Sequence, residues 1–227
     1  MTNADRAVDF VAQGMTVGLG SGRAAERFIR ALAERARAGL HVRCVATSKA
    51  SADLATSLGL HLVTLDEVAH LDLAVDGADE VDPNLNLIKG YGLAHVREKI
   101  VAAASRRYLI LIGPDMVHQK LVPVLGTRGR LPVEVLAFGL PVCQAKLEEM
   151  GIASAPTTRA DGEIALSDNG NPVLACRVGA IADPAALERQ IMAIPGVVGT
   201  GLFVGMADAV IVQDGSEVEV RQRPALQ

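Results

Sequence analysis

Aliphatic runs that end in glycine or a polar break, alternating with stretches of helical period, recur along the first half of the chain. Met15–Leu19 is apolar and closes on glycines, as a buried strand does. Ala24–Ala38 places Ala25, Phe28, Leu32 and Ala36 at helical spacing, and Gly39 stops the helix as a C-cap. Val42–Ala46 reads as the next strand, Ala50–Leu58 (closed by Gly59) as a helix, and His61–Leu65 and Leu71–Val75 as strands. After a polar, glycine-rich loop, Ala94–Ser105 is a helix and Tyr108–Ile112 a strand. Such a rotation predicts right-handed crossovers and a parallel sheet covered on both faces. Half the residues are apolar yet only 3% are aromatic, and an aliphatic core suits strands buried between helices.

The rhythm changes near Leu131. Leu131–Phe138 reads as a strand, Pro141–Met150 as a helix, Glu163–Ser167 and Val173–Val178 as strands joined by Asp168–Asn171, Ala185–Ile194 as a helix and Val197–Val204 as a strand. With an edge strand near Pro156–Arg159 this approximates β-α-β-β-α-β, the ferredoxin-like signature. Ala209–Gln213 and Glu217–Arg221 flank Asp214-Gly215, a hairpin signal. The expected fold class is α/β: a Rossmann-like parallel sheet domain of residues 1–128 plus 205–227, with an inserted ferredoxin-like α+β lobe of residues 129–204.

A net charge of −4 with both signs dispersed gives no basic face for nucleic acid. No window approaches the run of about 18 apolar residues that a membrane span requires, and the first residues do not read as a signal peptide. Three widely spaced cysteines, Cys44, Cys143 and Cys176, argue against a disulfide framework. The expectation is a reducing, cytoplasmic setting.

Three stretches can carry chemistry. Gly18-Leu19-Gly20-Ser21-Gly22-Arg23 joins the first strand to the first helix, and a helix N-terminus behind glycines favours an anion. Gly20-x-Gly22-x-x-Ala25 also fits a dinucleotide fingerprint, but that reading wants an acid at the end of the second strand. Thr47-Ser48-Lys49 stands there instead, which suits a phosphate or sugar better. Asp76-Gly77-Ala78-Asp79-Glu80 lies at the carboxyl end of a strand, where open α/β sheets bind ligands; a solvated acidic loop is the plain alternative. Ile88-Lys89-Gly90-Tyr91-Gly92 sets an ammonium at a glycine-rich turn, followed by Arg97-Glu98-Lys99, which on its own reads as an exposed charged helix edge. No histidine lies close enough to the acidic stretch to suggest a transition-metal cluster.

Taken together, these segments resemble the A-type ribose-5-phosphate isomerases over nearly the whole chain. The resemblance rests on Val17–Ile29 (VGLGSGRAAERFI), Ala46–Leu60 (ATSKASADLATSLGL), Asp72–Val81 (DLAVDGADEV), Leu87–Val101 (LIKGYGLAHVREKIV), Leu131–Val135 (LPVEV), Asp168–Asn171 (DNGN) and Ile194–Phe203 (IPGVVGTGLF). It implies interconversion of ribose 5-phosphate and ribulose 5-phosphate in the pentose phosphate pathway, without metal or organic cofactor. It also implies a homodimer or dimer of dimers, with the lobe as oligomer contact. Asp76, Asp79, Lys89 and Glu98 fall on the family's catalytic positions. The reaction needs a base at C2 and a donor for the enediolate oxygen, so Glu98 is assigned as base and Lys89, with loop N–H groups, as oxyanion partner. Asp76 is assigned to ring opening and Asp79 to the sugar hydroxyls. Gly20, Ser21, Gly22, Arg23, Ser48, Gly77, Ala78, Gly90, Gly92 and Lys120 complete the expected substrate contacts.

The chain departs from the family pattern in places. Ser21-Gly22-Arg23-Ala24 stands where Thr-Gly-Ser-Thr is common, and no lysine lies among Met1–Ala7. Arg23 is expected to replace those phosphate contacts through its guanidinium fork. Tyr91 and Leu93 replace smaller residues, and His95-Val96 replace Leu-Thr, His95 reading as a surface or packing histidine. Two other readings are an isomerase of another aldose phosphate and a non-catalytic sugar-phosphate sensor. A sensor of this architecture carries a DNA-binding module, for which no stretch is spare.

Overall fold

Val17, Leu19, Val75, Leu109, Leu111 and Ile211 are all buried because the strands that carry them lie inside one sheet. The computed structural model describes residues 1–223; the last four residues of the expected 205–227 segment lie outside the described residues. In chain order the strands are β1 (Thr16–Leu19), β2 (Arg43–Ala46), β3 (His61–Leu62), β4 (Leu73–Gly77), β5 (Glu80–Val81), β6 (Leu87–Ile88) and β7 (Tyr108–Ile112). They continue as β8 (Arg130–Val135), β9 (Ser154–Pro156), β10 (Val173–Arg177), β11 (Val197–Thr200), β12 (Leu202–Phe203), β13 (Ala209–Asp214) and β14 (Glu217–Gln222). The helices are α1 (Asn3–Val8), α2 (Gly22–Arg37), α3 (Lys49–Ser57), α4 (His95–Ala103), α5 (Val117–Lys120), α6 (Leu140–Glu149) and α7 (Pro184–Met192).

The chain divides into two units, one of residues 1–78, 97–120 and 205–227, the other of residues 79–96 and 121–204. The second unit thus includes residues 79–96 and 121–128 as well as 129–204.

In the first unit seven strands form one sheet in the order β14-β13-β7-β4-β1-β2-β3. Every pairing is parallel except β13 with β14, whose hairpin closes one edge. Alternation decides what each face meets. Val17 and Leu19 of β1 join Phe28, Ile29 and Leu32 of α2 in the main core. Gly18, between them, faces the other way, where a Cβ would meet Val101 of α4 at 2.5 Å. Glycine at position 18 thus lets α4 lie directly on the strand.

The second unit holds the lobe, whose sheet runs β11-β8-β10-β9 with every pair antiparallel. With α6 and α7 as its crossovers, this is the ferredoxin-like arrangement the sequence predicts. A second, three-stranded sheet, β12-β6-β5, belongs to the same unit. The expected strand Glu163–Ser167 is absent as a strand. Its backbone bonds close local turns, Ala165 N–H to Thr157 O, Arg159 N–H to Glu163 O and Ser167 N–H to Asn171 O, leaving only isolated bridges. The run Val197–Val204 is split at Gly201, where a Cβ would overlap the carbonyl of Lys89, and its halves join different sheets. Among the described residues no helix is long and apolar enough to cross a membrane.

Candidate active site

In the first unit the glycine loop, Ser48 and the run Asp76, Gly77 and Ala78 lie at the carboxyl ends of β1, β2 and β4, while Glu98 is carried by α4. Helix α2 begins at Gly22 (φ +79), with Ser21 as an N-cap whose side chain makes no capping bond. Its first turn holds no acid. The N–H groups and positive end of the helix dipole are thus available to an anion. Ser21 Oγ instead lies 2.8 Å from Thr47 Oγ1, which also donates to Leu19 O (3.1 Å). Ser48 caps α3 by accepting from Ser51 N–H (3.1 Å), and Ser51 Oγ donates to Gly20 O (2.6 Å). The two strand-to-helix turns are therefore tied by hydroxyls. Arg23 is exposed on the first turn of α2.

Strand β4 runs past the expected end at Val75 to include Asp76 and Gly77, which pair with Ile110 and Leu111 of β7. Asp76 is 1% exposed. Oδ1 accepts from Ser21 N–H (3.1 Å) and from Gly77 N–H (2.7 Å), and the Tyr108 hydroxyl stands 3.5 Å from Oδ2. Gly20 lies against it so closely that any Cβ would overlap the carboxyl group. Lys120 reaches the same strand end, its Nζ donating to Ala78 O (2.5 Å). Glu98, in the first turn of α4, is 6% exposed. The exposed charged edge that Arg97-Glu98-Lys99 suggests in isolation is not what forms, because Glu98 turns inward.

In the second unit, Asp79 follows Ala78 directly, and its N–H donates to Ile88 O (2.8 Å). Its Oδ2 accepts from Tyr91 N–H (3.0 Å). Lys89 is 3% exposed; its N–H donates to Gly201 O (2.9 Å) and its ammonium lies 5.6 Å from the Phe203 ring centroid. Gly90 has φ +108, and a Cβ there would press on the His95 ring at 2.8 Å. His95 is fully buried beneath the turn, a packing role and not a surface one. Gly92 completes the turn and is exposed.

Sequence reasoning passed over Glu80, which is fully buried beside Asp79. Its Oε2 accepts from Gly126 N–H (2.7 Å) and its Oε1 from Arg128 N–H (2.9 Å). Sequence reasoning also gave no role to Ser51. Thr47 stands in the Thr47-Ser48-Lys49 stretch named from the sequence; Glu80 closes the acidic stretch, but its structural partners lie more than forty residues away.

A parallel sheet with glycine turns and a buried acid at its carboxyl strand ends defines an α/β fold of the kind that binds ligands there. Residues 43–217 match the family described as ribose 5-phosphate isomerase A (phosphoriboisomerase A). Ribose-5-phosphate isomerase A of Roseiflexus sp. (strain RS-1) is 48% identical over 92% of this chain and 89% of that protein. The protein of the same name from Gloeobacter violaceus is 49% identical over 96% of this chain and 94% of its own length. Ribose 5-phosphate isomerase A from Methanocaldococcus jannaschii superposes with a TM-score of 0.91 at 37% identity, covering 97% of this chain and 96% of that one. A D-ribose-5-phosphate isomerase in complex with phospho-erythronic acid superposes at 0.92 with 33% identity, covering the same shares of the two chains. The chain belongs to the ribose-5-phosphate isomerase A family, and it is an isomerase.

Proposed function

We propose that this chain interconverts D-ribose 5-phosphate and D-ribulose 5-phosphate through an enediolate, with Glu98 moving the proton between C2 and C1. The deprotonated carboxylate takes the C2 proton as the C1 carbonyl becomes an enediolate oxygen; the O2 hydroxyl proton passes to O1, and the same carboxyl group returns its proton to C1, leaving the ketone at C2. Lys89, an ammonium in a nearly closed setting, stabilises the oxygen that gains charge, where such a donor is worth more than in water. Asp76 assists opening of the furanose ring, and Asp79 holds sugar hydroxyls. The phosphate is taken by the N–H groups of Gly20, Ser21 and Gly22 at the start of α2, with Arg23 and Lys120 supplying charge.

One observation carries the reading. Asp76, Lys89 and Glu98, which occupy the positions that the resemblance assigns to catalysis, are 1%, 3% and 6% exposed, and burial together with that placement favours a functional role over a solvated surface one. The experiment follows ribulose 5-phosphate formation with a metal chelator present. Glu98→Gln is expected to lower kcat by about 10²–10⁴ with little change in KM. A kcat within a factor of two of wild type would remove Glu98 from the mechanism.

The protein is further proposed to act in the pentose phosphate pathway in the cytoplasm, as a homodimer or dimer of dimers. Leu136, Phe138 and Val142 on the lobe, at 51%, 101% and 56% exposure, favour the lobe as the surface for a second copy. A Phe138→Asp chain of unchanged mass by light scattering would remove that contact. The exposed Arg23, in place of a second loop hydroxyl, favours one variant reading, preference for another aldose phosphate; rates on a panel of aldose phosphates decide it.

A further inference from the structure

Tyr91 is held from four sides in the turn that follows Lys89. Its N–H donates to Asp79 Oδ2 (3.0 Å), and its hydroxyl donates to Arg130 O (3.2 Å). The guanidiniums of Arg128 and Arg130 lie over its ring, 5.5 and 4.8 Å from the centroid, within cation–π range. Arg128 is placed in turn by the two backbone bonds that Glu80 accepts, and its guanidinium donates to the backbone carbonyl of Asp79 (3.3 Å). Asp79 is thus gripped at its carboxylate by Tyr91 and at its carbonyl by the arginine that covers Tyr91.

The turn has little stiffness of its own. Glycines flank Tyr91 on both sides, Gly90 at φ +108, and Leu93 is forced to φ +64, a region unfavourable for leucine. Such a conformation persists when its surroundings over-determine it, and the clamped ring does so.

We propose that Tyr91, clamped by Arg128 and Arg130, is a positioning residue that orients the Asp79 carboxylate for the isomerisation. The proposal rests on the assignment of Asp79 as a group that handles substrate. Burial and the nearby carboxylates of Asp79 and Glu80 push the Tyr91 phenol up to about 12. At neutral pH it therefore remains an uncharged donor to Arg130 O. A carboxylate fixed in advance of binding raises the fraction of substrate bound in reactive geometry, and a misplacement near 1 Å costs about 100-fold.

The test uses the full chain and ribose 5-phosphate. Tyr91→Gly is expected to lower kcat/KM by about 10–100-fold, with the same division between KM and kcat as Asp79→Asn, and Tyr91→Phe to stay within about three-fold of wild type. In the Asp79→Asn background Tyr91→Gly should add less than about three-fold, because the group it acts through is gone. Arg128→Gln, an exposed change that keeps the fold, should give a smaller loss of about 3–10-fold without altering the melting temperature. A Tyr91→Gly chain within two-fold of wild type overturns the proposal, as does an undiminished loss on the Asp79→Asn background or an Arg128→Gln chain of full activity. If Asp79→Asn alone is fully active, the assignment of Asp79 fails and the proposal falls with it.

Discussion

Gly20 has no side chain to spare, because the carboxyl group of Asp76 occupies the place where a Cβ would begin. Two segments far apart in sequence are thereby locked together, and Ser21 N–H is brought onto Asp76 Oδ1. Gly20→Ala must push the acid aside or open the loop. The expected result is a fall in kcat/KM of at least about 10²-fold, with a stability loss of about 1–3 kcal/mol from overpacking. Steady-state kinetics and urea unfolding measure the two separately.

Arg23 stands exposed on the first turn of α2, beside N–H groups that no side chain caps. Arg23→Ala is expected to raise KM for ribose 5-phosphate by about ten-fold while leaving kcat unchanged, since the phosphate contact is the same before and during the chemical step. An unaltered KM would show that the backbone donors suffice.

Glu80 accepts two backbone N–H groups in a fully buried setting. Glu80→Ala strands both donors, at about 1–3 kcal/mol each. Glu80→Gln keeps one acceptor oxygen and should cost about half as much. Urea midpoints of the two variants give the comparison.

Burial pushes the thiols of Cys44 and Cys176 up to about 12, from 9.0. Below pH 9 both folded and unfolded chains keep these protons, so the thiols make no pH-dependent contribution. Above it the unfolded chain releases protons that the folded chain retains, so stability falls as pH rises from 9 towards 12. In the native state at pH 8 neither thiol should react with an aromatic disulfide reagent, and both should react once the chain is unfolded in urea. Thiol release followed by absorbance checks this.

The sequence showed most where a pattern was long and local. Strand β7 matches its expected limits residue for residue, and α2 and α6 differ from theirs by at most two residues at either end. The candidate groups at strand ends were legible because the strand-turn-helix context was legible around them. Two-residue strands such as β5, β6 and β12 have no period to read, and α1, six residues long, is too short to show one. Gly201 looked like an ordinary strand residue, and only the neighbouring Lys89 carbonyl explains why the chain breaks there. Arg128 and Arg130 drew no reading from the sequence, and it is the fold that lays them over Tyr91. Nothing local to any of these residues announces such a pairing.

Strand β13 lies between β7 and β14, yet the whole lobe separates it from β7 along the chain. Translation therefore delivers Tyr108–Ile112 long before Ala209–Asp214 can pair with it. Until then the nascent protein carries an open, aliphatic parallel edge, which invites pairing with other chains. A ribosome that pauses within the lobe prolongs that exposure, whereas a finished chain covers it with a hairpin whose outer strand bears Glu217, Glu219 and Arg221.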